Sequence, residues 1–203
     1  MCMNPMAPND PVAPDKSAGS GRLFVVSAPS GAGKSTLCQA ARKQLPDLVY
    51  SVSSTTRPPR PGEQDGRDYF FVSREDFQKG IDKGLWVEWA QVHDNYYGTS
   101  ARFIDGHLDA GRDVLMDIDV QGARQILERY PQTITIFIMV PSMAALRQRL
   151  TARGQDDMDV IEKRLRNAEA EIAQKERYRY VVVNDDLPAA IDRFVRILNG
   201  EAD

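Results

Sequence analysis

Short apolar runs alternate with helix-like segments along the chain from residue 22 onwards. Residues 23–27 (LFVVS), 113–119 (DVLMDID), 133–140 (TITIFIMV) and 180–185 (YVVVND) are apolar and nearly continuous. Such runs are typical of strands that are covered on both faces in a parallel sheet. Together with the helical segments between them, they predict an α/β fold with a parallel sheet of four or five strands.

Capping and breaking residues set the bounds of the predicted helices. The helices are predicted at residues 34–45, 73–83, 100–110, 120–130, from 142 onwards, at 157–177 and from Pro188, which is expected at the first helical position. Ser73 and Asp76 have the spacing of a capping box, and Gly84 and Gly111 follow the ends of two helices.

Residues 53–100 interrupt this alternation and predict an insertion into the α/β core. Two short strands are expected there, at 68–73 (DYFFVS) and 86–92 (WVEWAQV), and a turn is expected at NYYG, residues 95–98. A further strand is expected at 49–53, just before the insertion. Residues 1–21 carry four prolines and a Ser/Gly stretch, and this composition predicts a disordered tail.

Composition excludes several classes of protein. The 203 residues are 42% hydrophobic and 27% charged, as in ordinary globular domains, and the net charge of −3 argues against a globally basic nucleic-acid binder. Two cysteines and two histidines are too few for a disulfide framework, a Cys-based zinc site or a His-rich metal cluster. No apolar run suits a membrane helix or a signal peptide, so we expect a cytoplasmic protein without a membrane or nucleic-acid partner.

A glycine-rich turn lies between the first apolar run and the first predicted helix. It comprises Ala28, Pro29, Ser30, Gly31, Ala32, Gly33, Lys34, Ser35 and Thr36. The segment matches the Walker A pattern G-x-x-x-x-G-K-[ST] except for alanine at the first glycine. The glycines let backbone N–H groups curl around a phosphate, Lys34 supplies a positive charge, and Ser35 offers a hydroxyl to Mg²⁺. The segment therefore predicts a nucleotide-phosphate site, the alternative being a turn with an exposed lysine.

Asp117 and Asp119 lie at the end of the apolar run 113–119. Ligands of open α/β sheets bind at the carboxyl ends of the strands, where an acid can hold the Mg²⁺ shell. An aspartate at a strand end is also common without such a role, but the nearby phosphate motif favours the magnesium interpretation.

The insertion offers candidate ligands for a second substrate. Arg57 and Arg60 are three residues apart in a proline-rich loop, and two guanidinium groups suit a phosphate dianion. Tyr69 and Tyr97 could donate hydroxyl groups to it, although a lone tyrosine is more often a packed aromatic residue. Glu88 is either solvated or faces a pocket, where its carboxylate would accept N1–H and N2–H₂ of guanine, a pair that adenine lacks.

Arginines also cluster towards the end of the helix predicted from residue 142 and in the helix after it. They are Arg147, Arg149, Arg153, Arg164 and Arg166. Such charge runs are usually solvated faces. In phosphoryl transfer, however, arginines on a closing segment stabilise the charge of the moving group, so both interpretations stay open.

Eight segments give these candidates a family context. In chain order they are SAPSGAGKST, SVSSTTRPPRPGE, DGRDYFF, FQKGIDKG, WVEWAQVHDNYYGTS, DVLMDIDVQGA, RLTARG and VVVNDD. Over residues 22–200 the chain closely resembles the guanylate kinases, which transfer the γ-phosphoryl group of ATP to GMP, and Ala28 is similar to what bacterial members carry. The resemblance implies a P-loop kinase core, a GMP-binding insertion at about residues 53–100 and a helical LID at about 142–170.

The resemblance also implies a role for each matched residue. For GMP it implies Arg57, Arg60, Tyr69 and Tyr97 at the phosphate, Ser53, Glu88 and Thr99 at the guanine edge, and Asp119 nearby. ATP would be bound by residues 28–36 and Asn184, and Mg²⁺ by Ser35 and Asp117, partly through water. The catalytic residues would be Lys34, Arg57, Arg153 and Arg164.

Two other classes of protein share parts of this pattern. Scaffold proteins contain related domains that bind peptides and have lost the phosphate loop, whereas Gly31, Gly33, Lys34 and Ser35 are present here. Adenylate- or thymidylate-type kinases share the phosphate loop. The segments SSTTRPPRPGE and NYYGTS argue against these kinases, because they resemble the guanylate kinases. ATP and GMP or dGMP are therefore the expected partners, with Mg²⁺ as cofactor, and the sequence predicts no oligomeric state.

Overall fold

The computed structural model describes residues 20–92, 94–152 and 157–201. The strands are β1 Leu23–Ser27, β2 Val49–Tyr50, β3 Ser54–Thr55, β4 Phe70–Phe71, β5 Trp86–Val92, β6 Asn95–Ser100, β7 Val114–Asp117, β8 Ile134–Met139 and β9 Tyr180–Val183. The helices are α1 Lys34–Gln44, α2 Arg74–Asp82, α3 Ala101–Asp109, α4 Val120–Arg129, α5 Met143–Ala152, α6 Met158–Ile172 and α7 Leu187–Asn199. A 3₁₀ turn at Lys175–Arg177 follows α6.

Five strands form a parallel sheet in the order β2-β7-β1-β8-β9. Residues 24–27 of β1 pair with residues 134–137 of β8, whose residues 136–139 pair with residues 180–183 of β9. Every residue of β1 is buried, as expected for a strand covered on both faces. The predicted α/β class is confirmed, and the five strands agree with the predicted four or five.

A second sheet, in the order β4-β3-β6-β5, forms from the predicted insertion. The turn predicted at NYYG is wrong, because these residues belong to β6, which pairs antiparallel with both β3 and β5. Gly98 is needed in this central strand for close packing. A Cβ there would lie 2.9 Å from both the carbonyl oxygen of Glu88 and the ring of Phe77.

Aromatic stacking holds the second sheet against α2. Phe77 of α2 is fully buried, and its ring centroid lies 4.4 Å from that of Trp86 and 5.3 Å from that of Tyr96. Burial of a phenylalanine side chain stabilises a fold by about 1.5–3 kcal/mol, before any gain from ring geometry. This cluster fixes the start of β5, which precedes Glu88.

Helix ends follow the predicted caps, with two corrections. The Ser73 Oγ accepts a hydrogen bond from the Asp76 N–H at 3.0 Å, so the predicted cap of α2 is confirmed. The helix predicted to reach residue 177 ends at Ile172, because residues 175–177 tighten into the 3₁₀ turn. Asp186 caps α7, which puts Pro188 at the second helical position rather than the first.

Gln125 of α4 binds the backbone of β5, the edge strand of the second sheet. Its Nε2 donates to the Trp89 carbonyl oxygen at 2.9 Å, and its Oε1 accepts from the Trp89 N–H at 3.1 Å. The carboxamide therefore occupies both backbone groups of Trp89, as a neighbouring strand would.

The chain divides into two compact units. The first holds Val49–Met116, Arg124–Thr133 and the described residues before Phe24. The second holds Phe24–Leu48, Asp117–Ala123 and the described residues from Ile134 on.

The insertion and LID bounds, 53–100 and 142–170, stay predictions, and most of the predicted tail, 1–19, lies outside the described residues. Within the described part of the chain, no helix is both long and apolar enough to span a lipid bilayer.

Candidate functional site

The phosphate loop, residues 28–36, turns tightly between β1 and α1. The Ala32 N–H donates to the Pro29 carbonyl oxygen at 3.0 Å, and Gly31 and Gly33 have φ angles of 93° and 95°. Residues with a Cβ rarely adopt such angles, so glycine is required at both positions. Lys34 is the first residue of α1, whose N-terminal N–H groups and dipole suit an anion.

Asn184 braces this loop from the end of β9. It is 5% exposed, and its Nδ2 donates to the Ala32 carbonyl oxygen at 2.8 Å. A Cβ on Gly33 would collide with this Nδ2, so Gly33 is required for the approach as well as for the φ angle. The Arg149 guanidinium of α5 in turn donates to the Asn184 carbonyl oxygen at 2.7 Å.

Lys34 and Asp117 form an ion pair beside the loop. The Lys34 Nζ also donates to the Ile118 carbonyl oxygen at 3.3 Å, and the two charged side chains are 21% and 16% exposed. The lysine charge is therefore held at the carboxyl end of β7, next to the loop. Ser35 and Thr36 are exposed, so the Ser35 hydroxyl is open to a ligand.

Asp119 caps α4. Its Oδ1 accepts hydrogen bonds from the N–H groups of Gln121 at 3.0 Å and Gly122 at 2.8 Å. The structure thus gives Asp119 a structural role in addition to the GMP contact implied by the resemblance, which stays a prediction. Burial raises the pKa of the Glu171 carboxyl in α6. The positive charge of Lys34 lowers this pKa, and the negative charge of Asp119 raises it further.

The residues predicted for Mg²⁺ suit a magnesium ion that arrives with a nucleotide. Mg²⁺ keeps several waters and takes one or two carboxylates together with substrate phosphates. Asp117 would supply one carboxylate and the exposed Ser35 a hydroxyl, and this assignment stays a prediction. Among the described residues no group of three or more acidic, histidine or cysteine side chains forms an all-protein metal cage, which such a site does not need.

The predicted LID arginines are only partly within the described residues. Arg164 is half-buried in α6, whereas Arg153 lies outside the described part of the chain. Arg147 of α5 and Glu162 of α6 form a bidentate ion pair at the surface, which raises the pKa of Arg147 and lowers that of Glu162. This pair links two helices of the predicted LID.

Three polar residues of the second sheet form one hydrogen-bonded chain. The Thr99 hydroxyl donates to Oε1 of Glu88 at 2.7 Å, and the Ser53 hydroxyl lies 3.2 Å from that of Thr99. The Thr99 hydroxyl has a single hydrogen, which it donates to Glu88. The Ser53 hydroxyl therefore donates to the Thr99 oxygen. The three residues predicted for a guanine edge are thus brought together.

A β-bulge explains why Glu88 is buried. Trp86 pairs with Ser100 and Glu88 with Thr99, so β5 has one extra residue at this point. Val87 and Glu88 are consecutive yet both buried, at 7% and 6% exposure. Of the two interpretations left open by the sequence, a solvated Glu88 is therefore excluded.

The predicted GMP-phosphate ligands in the insertion cluster around Arg57. Its guanidinium carbon lies 5.5 Å from the Tyr69 ring centroid, and the Tyr69 and Tyr97 rings are 5.9 Å apart. Its Nη2 donates to Oε1 of Glu63 at 2.8 Å. This hydrogen bond raises the pKa of Arg57 and lowers that of Glu63, with Tyr97 adding to the shift of Arg57.

The predicted residues fall into two groups, one within each compact unit. The second unit holds the phosphate loop, Asp117, Asp119, Arg164 and Asn184. The first unit holds Ser53, Arg57, Arg60, Tyr69, Glu88, Tyr97 and Thr99. Sequence reasoning missed Glu63, whose signal was its place in the arginine-rich loop. It named Arg149 in the arginine cluster but did not foresee its hydrogen bond to Asn184.

Comparisons with known proteins confirm the expected family. A family model described as guanylate kinase matches residues 20–201. The guanylate kinase of Desulfitobacterium hafniense is 49% identical over 181 residues, 89% of this chain and 90% of that protein. That of Thiobacillus denitrificans is 51% identical over 180 residues, 89% and 86% of the two chains.

A solved structure shows the same similarity. The crystal structure of guanylate kinase from Anaplasma phagocytophilum is 37% identical, with a TM-score of 0.72, and covers 91% of this chain and 87% of that chain. Since the family model spans all the described residues and the relatives match over most of their length, the chain belongs to the guanylate kinase family.

Proposed function

We propose that this protein transfers the γ-phosphoryl group of ATP to GMP, and also to dGMP, giving ADP and the nucleoside diphosphate. A phosphate oxygen of GMP attacks the γ-phosphorus, and the bond from that phosphorus to the β–γ bridging oxygen breaks. The buried Glu88, with Thr99 donating to it, is the observation that supports guanine as the base. The phosphate loop with Lys34 supports the nucleoside triphosphate as the donor.

The phosphate loop would bind the β- and γ-phosphates of ATP. Backbone N–H groups around Gly31 and Gly33 and the N-terminus of α1 offer hydrogen bonds and positive potential. Lys34, already held beside the loop by Asp117, would turn to the phosphates when they bind. Asn184 supports the loop through its hydrogen bond to the Ala32 carbonyl oxygen. Its place at the adenine end of ATP rests on the resemblance alone.

Magnesium would enter with ATP. Ser35 would offer its hydroxyl, and Asp117, once Lys34 has phosphate partners, would bind waters of the ion's shell. Bound Mg²⁺ supplies charge that neutralises the β- and γ-phosphate oxygens. The residues of this chain orient the phosphates for in-line attack and hold the lysine charge nearby.

Base recognition would depend on a carboxylate in a site with little water. Guanine presents N1–H and N2–H₂ as adjacent donors, and a carboxylate accepts both, whereas adenine has no such pair. Glu88 is the buried carboxylate, and the hydrogen bond from Thr99 fixes its orientation. An adenine bound in the same place would offer this buried carboxylate no pair of N–H donors, and that loss is a strong basis for specificity.

The acceptor's phosphate would lie against Arg57, Arg60, Tyr69 and Tyr97. Arg57 offers a planar fork of N–H donors, which matches a phosphate dianion. Arg60 is exposed on the same loop, and the two tyrosines pack beside Arg57. Arg153 and Arg164 are assigned to the transferring phosphoryl group, where positive charge is most effective when water is excluded.

A single assay tests the proposed function. The protein would be given ATP, Mg²⁺ and, in separate reactions, GMP, dGMP, AMP, CMP and UMP, with nucleotide products separated and quantified. Phosphorylation of GMP and dGMP only is expected. Equal turnover of AMP, CMP or UMP would favour another nucleoside-monophosphate kinase, and no turnover of any of the five acceptors would favour a scaffold. The cytoplasmic location expected from the sequence stays a prediction.

A further inference from the structure

Both carboxylate oxygens of Glu63 are committed to the loop that carries the two predicted phosphate-binding arginines. Oε1 accepts from Nη2 of Arg57 at 2.8 Å, and Oε2 accepts from the backbone N–H of Arg60 at 2.7 Å. The Glu63 N–H donates back to the Arg60 carbonyl oxygen at 3.0 Å. One side chain therefore joins a guanidinium group to the turn that follows it.

The guanidinium of Arg57 is fixed at several points. Besides the bond to Glu63, its Nη1 donates to the Pro58 carbonyl oxygen at 2.7 Å, and its plane lies near the Tyr69 ring. A guanidinium has five N–H donors. Glu63 and Pro58 each accept one of them, and Tyr97 is a further hydrogen-bonding neighbour, so Arg57 is anchored and keeps other N–H donors for a phosphate.

Burial and charge support a permanent pairing. The Arg57 and Glu63 side chains are 12% and 19% exposed, well below the values of the surface pair Lys79–Glu75, which are 57% and 78%. The hydrogen bond from Arg57 also holds the pKa of Glu63 below its ordinary value, so the carboxylate is ionised at neutral pH. An arginine left without this partner would lose entropy when it meets a ligand.

We infer that Glu63 is a positioning residue for the acceptor's phosphate, acting through the guanidinium of Arg57. This inference rests on the proposed function, since the phosphate it concerns is that of GMP. Glu63 does not touch the phosphate; it holds Arg57 in the binding orientation before GMP arrives. Such preorganisation reduces the ordering cost of binding. The competing explanation is that Glu63 only shapes the turn through the Arg60 N–H.

Two substitutions separate these explanations because the two oxygens have different partners. Glu63→Gln keeps one carbonyl oxygen for the Arg60 N–H and turns an amide NH₂ towards the donors of Arg57. Glu63→Ala removes both acceptors. If Glu63 positions Arg57, both variants should raise KM for GMP by about 10-fold or more, as expected for a lost hydrogen bond to a charged group. KM for ATP should change less than twofold.

An Arg57→Met background tests whether the effect passes through Arg57. There the additional Glu63→Gln change should alter KM for GMP by less than twofold, because the partner is already gone. Glu75→Gln, in the exposed pair on α2, is the matched control and should behave as the wild type. Calorimetric binding of GMP without ATP gives the same comparison free of the chemical step, and thermal unfolding shows whether each variant is folded.

Each outcome decides the matter. A normal KM for GMP in Glu63→Gln with a raised value in Glu63→Ala would overturn the inference in favour of the turn. Equal effects of Glu63→Gln with and without Arg57 would overturn it too. A wild type that phosphorylates GMP while every Glu63 variant does so equally well refutes this inference alone. A wild type that does not phosphorylate GMP refutes the proposed function and this inference with it.

Discussion

The side chain of Asn184 hydrogen-bonds the backbone of Ala32, with Nδ2 2.8 Å from the carbonyl oxygen. The two residues are 152 positions apart in sequence, and the contact is buried. Asn184 follows β9, so the outer strand of the parallel sheet supports the loop that leaves the central strand β1. The shape of the phosphate loop therefore depends on a residue that the family resemblance associates only with the adenine end of ATP.

Asn184→Ala should weaken both the fold and ATP binding. The Ala32 carbonyl oxygen would lose its partner, and we expect the free energy of unfolding to fall by about 1–2 kcal/mol. KM for ATP should rise several-fold, with KM for GMP nearly constant. Urea unfolding and steady-state kinetics measure the two effects. An unchanged KM for ATP in a destabilised variant would show that the brace matters for stability only.

Lys34→Met should abolish most of the turnover. The change keeps the bulk of the stem and removes the charge that faces Asp117 and, in the proposed complex, the phosphates. A fall in kcat of roughly 10²-fold or more is expected, as for other single donors to developing charge. Lys43→Met, at an exposed position of the same helix, is the control. Near-normal turnover of a folded Lys34→Met protein would contradict the phosphate-loop assignment.

Glu88→Gln should impair GMP and spare ATP. The amide keeps an oxygen that can accept from Thr99 but puts an NH₂ group where guanine presents N–H donors. An unsatisfied buried pair costs about 1–3 kcal/mol, so kcat/KM for GMP should fall roughly 10- to 200-fold. Initial rates with each substrate varied in turn provide the measurement. Similar losses for both substrates would argue against a role at the base edge.

Arg164→Met and Arg153→Met should lower kcat far more than they raise KM. Both arginines are assigned to charge that develops on the transferring group, so each loss should be about 10²- to 10⁴-fold. The double variant should lose less than the product, since the two serve one charge. Lys163→Met, exposed on α6 beside Arg164, is the control. If only KM for ATP rose, these arginines would be ground-state binding groups.

His107 should make the fold less stable below neutral pH. It is 8% exposed, and burial, with a smaller contribution from the charge of Arg112, lowers its pKa. In the unfolded chain histidine titrates near pH 6.5, so at lower pH the unfolded state binds more protons and stability falls. Urea unfolding between about pH 7.5 and 5.5 should show a smaller loss for His107→Gln than for the wild type. Parallel losses would show that other groups dominate.

The sequence predicts the parallel core well because its strands are buried on both faces. β1, β7 and β8 each lie within a predicted apolar run, so composition locates these strands to within two residues at either end. The phosphate loop is equally local, since Gly31, Gly33 and Lys34 act through backbone geometry and adjacency. The structure of these strands and of the phosphate loop can therefore be predicted mainly from residues that are adjacent in sequence.

The second sheet was predicted less well because its structure depends on contacts that are distant in sequence. NYYG has the composition of a turn, but Gly98 is there to let the strand pack against Phe77 and the Glu88 backbone. The burial of Glu88 follows from a bulge that no alternation pattern reveals. Glu63 needs the folded loop to bring its two oxygens to Arg57 and to the Arg60 N–H.

The hydrogen bonds between the Gln125 carboxamide and the Trp89 backbone have a consequence for the protein at high concentration. The outer edge of a sheet presents backbone groups on which a strand from another molecule can add, and long apolar edges are sites of aggregation. β5 is a seven-residue edge strand, and Trp89 and Val92 on it are exposed. Gln125 occupies both backbone groups of Trp89 in the middle of this edge. We therefore expect the benefit of Gln125 to grow with protein concentration, because strand addition at Trp89 would first have to break both of these hydrogen bonds.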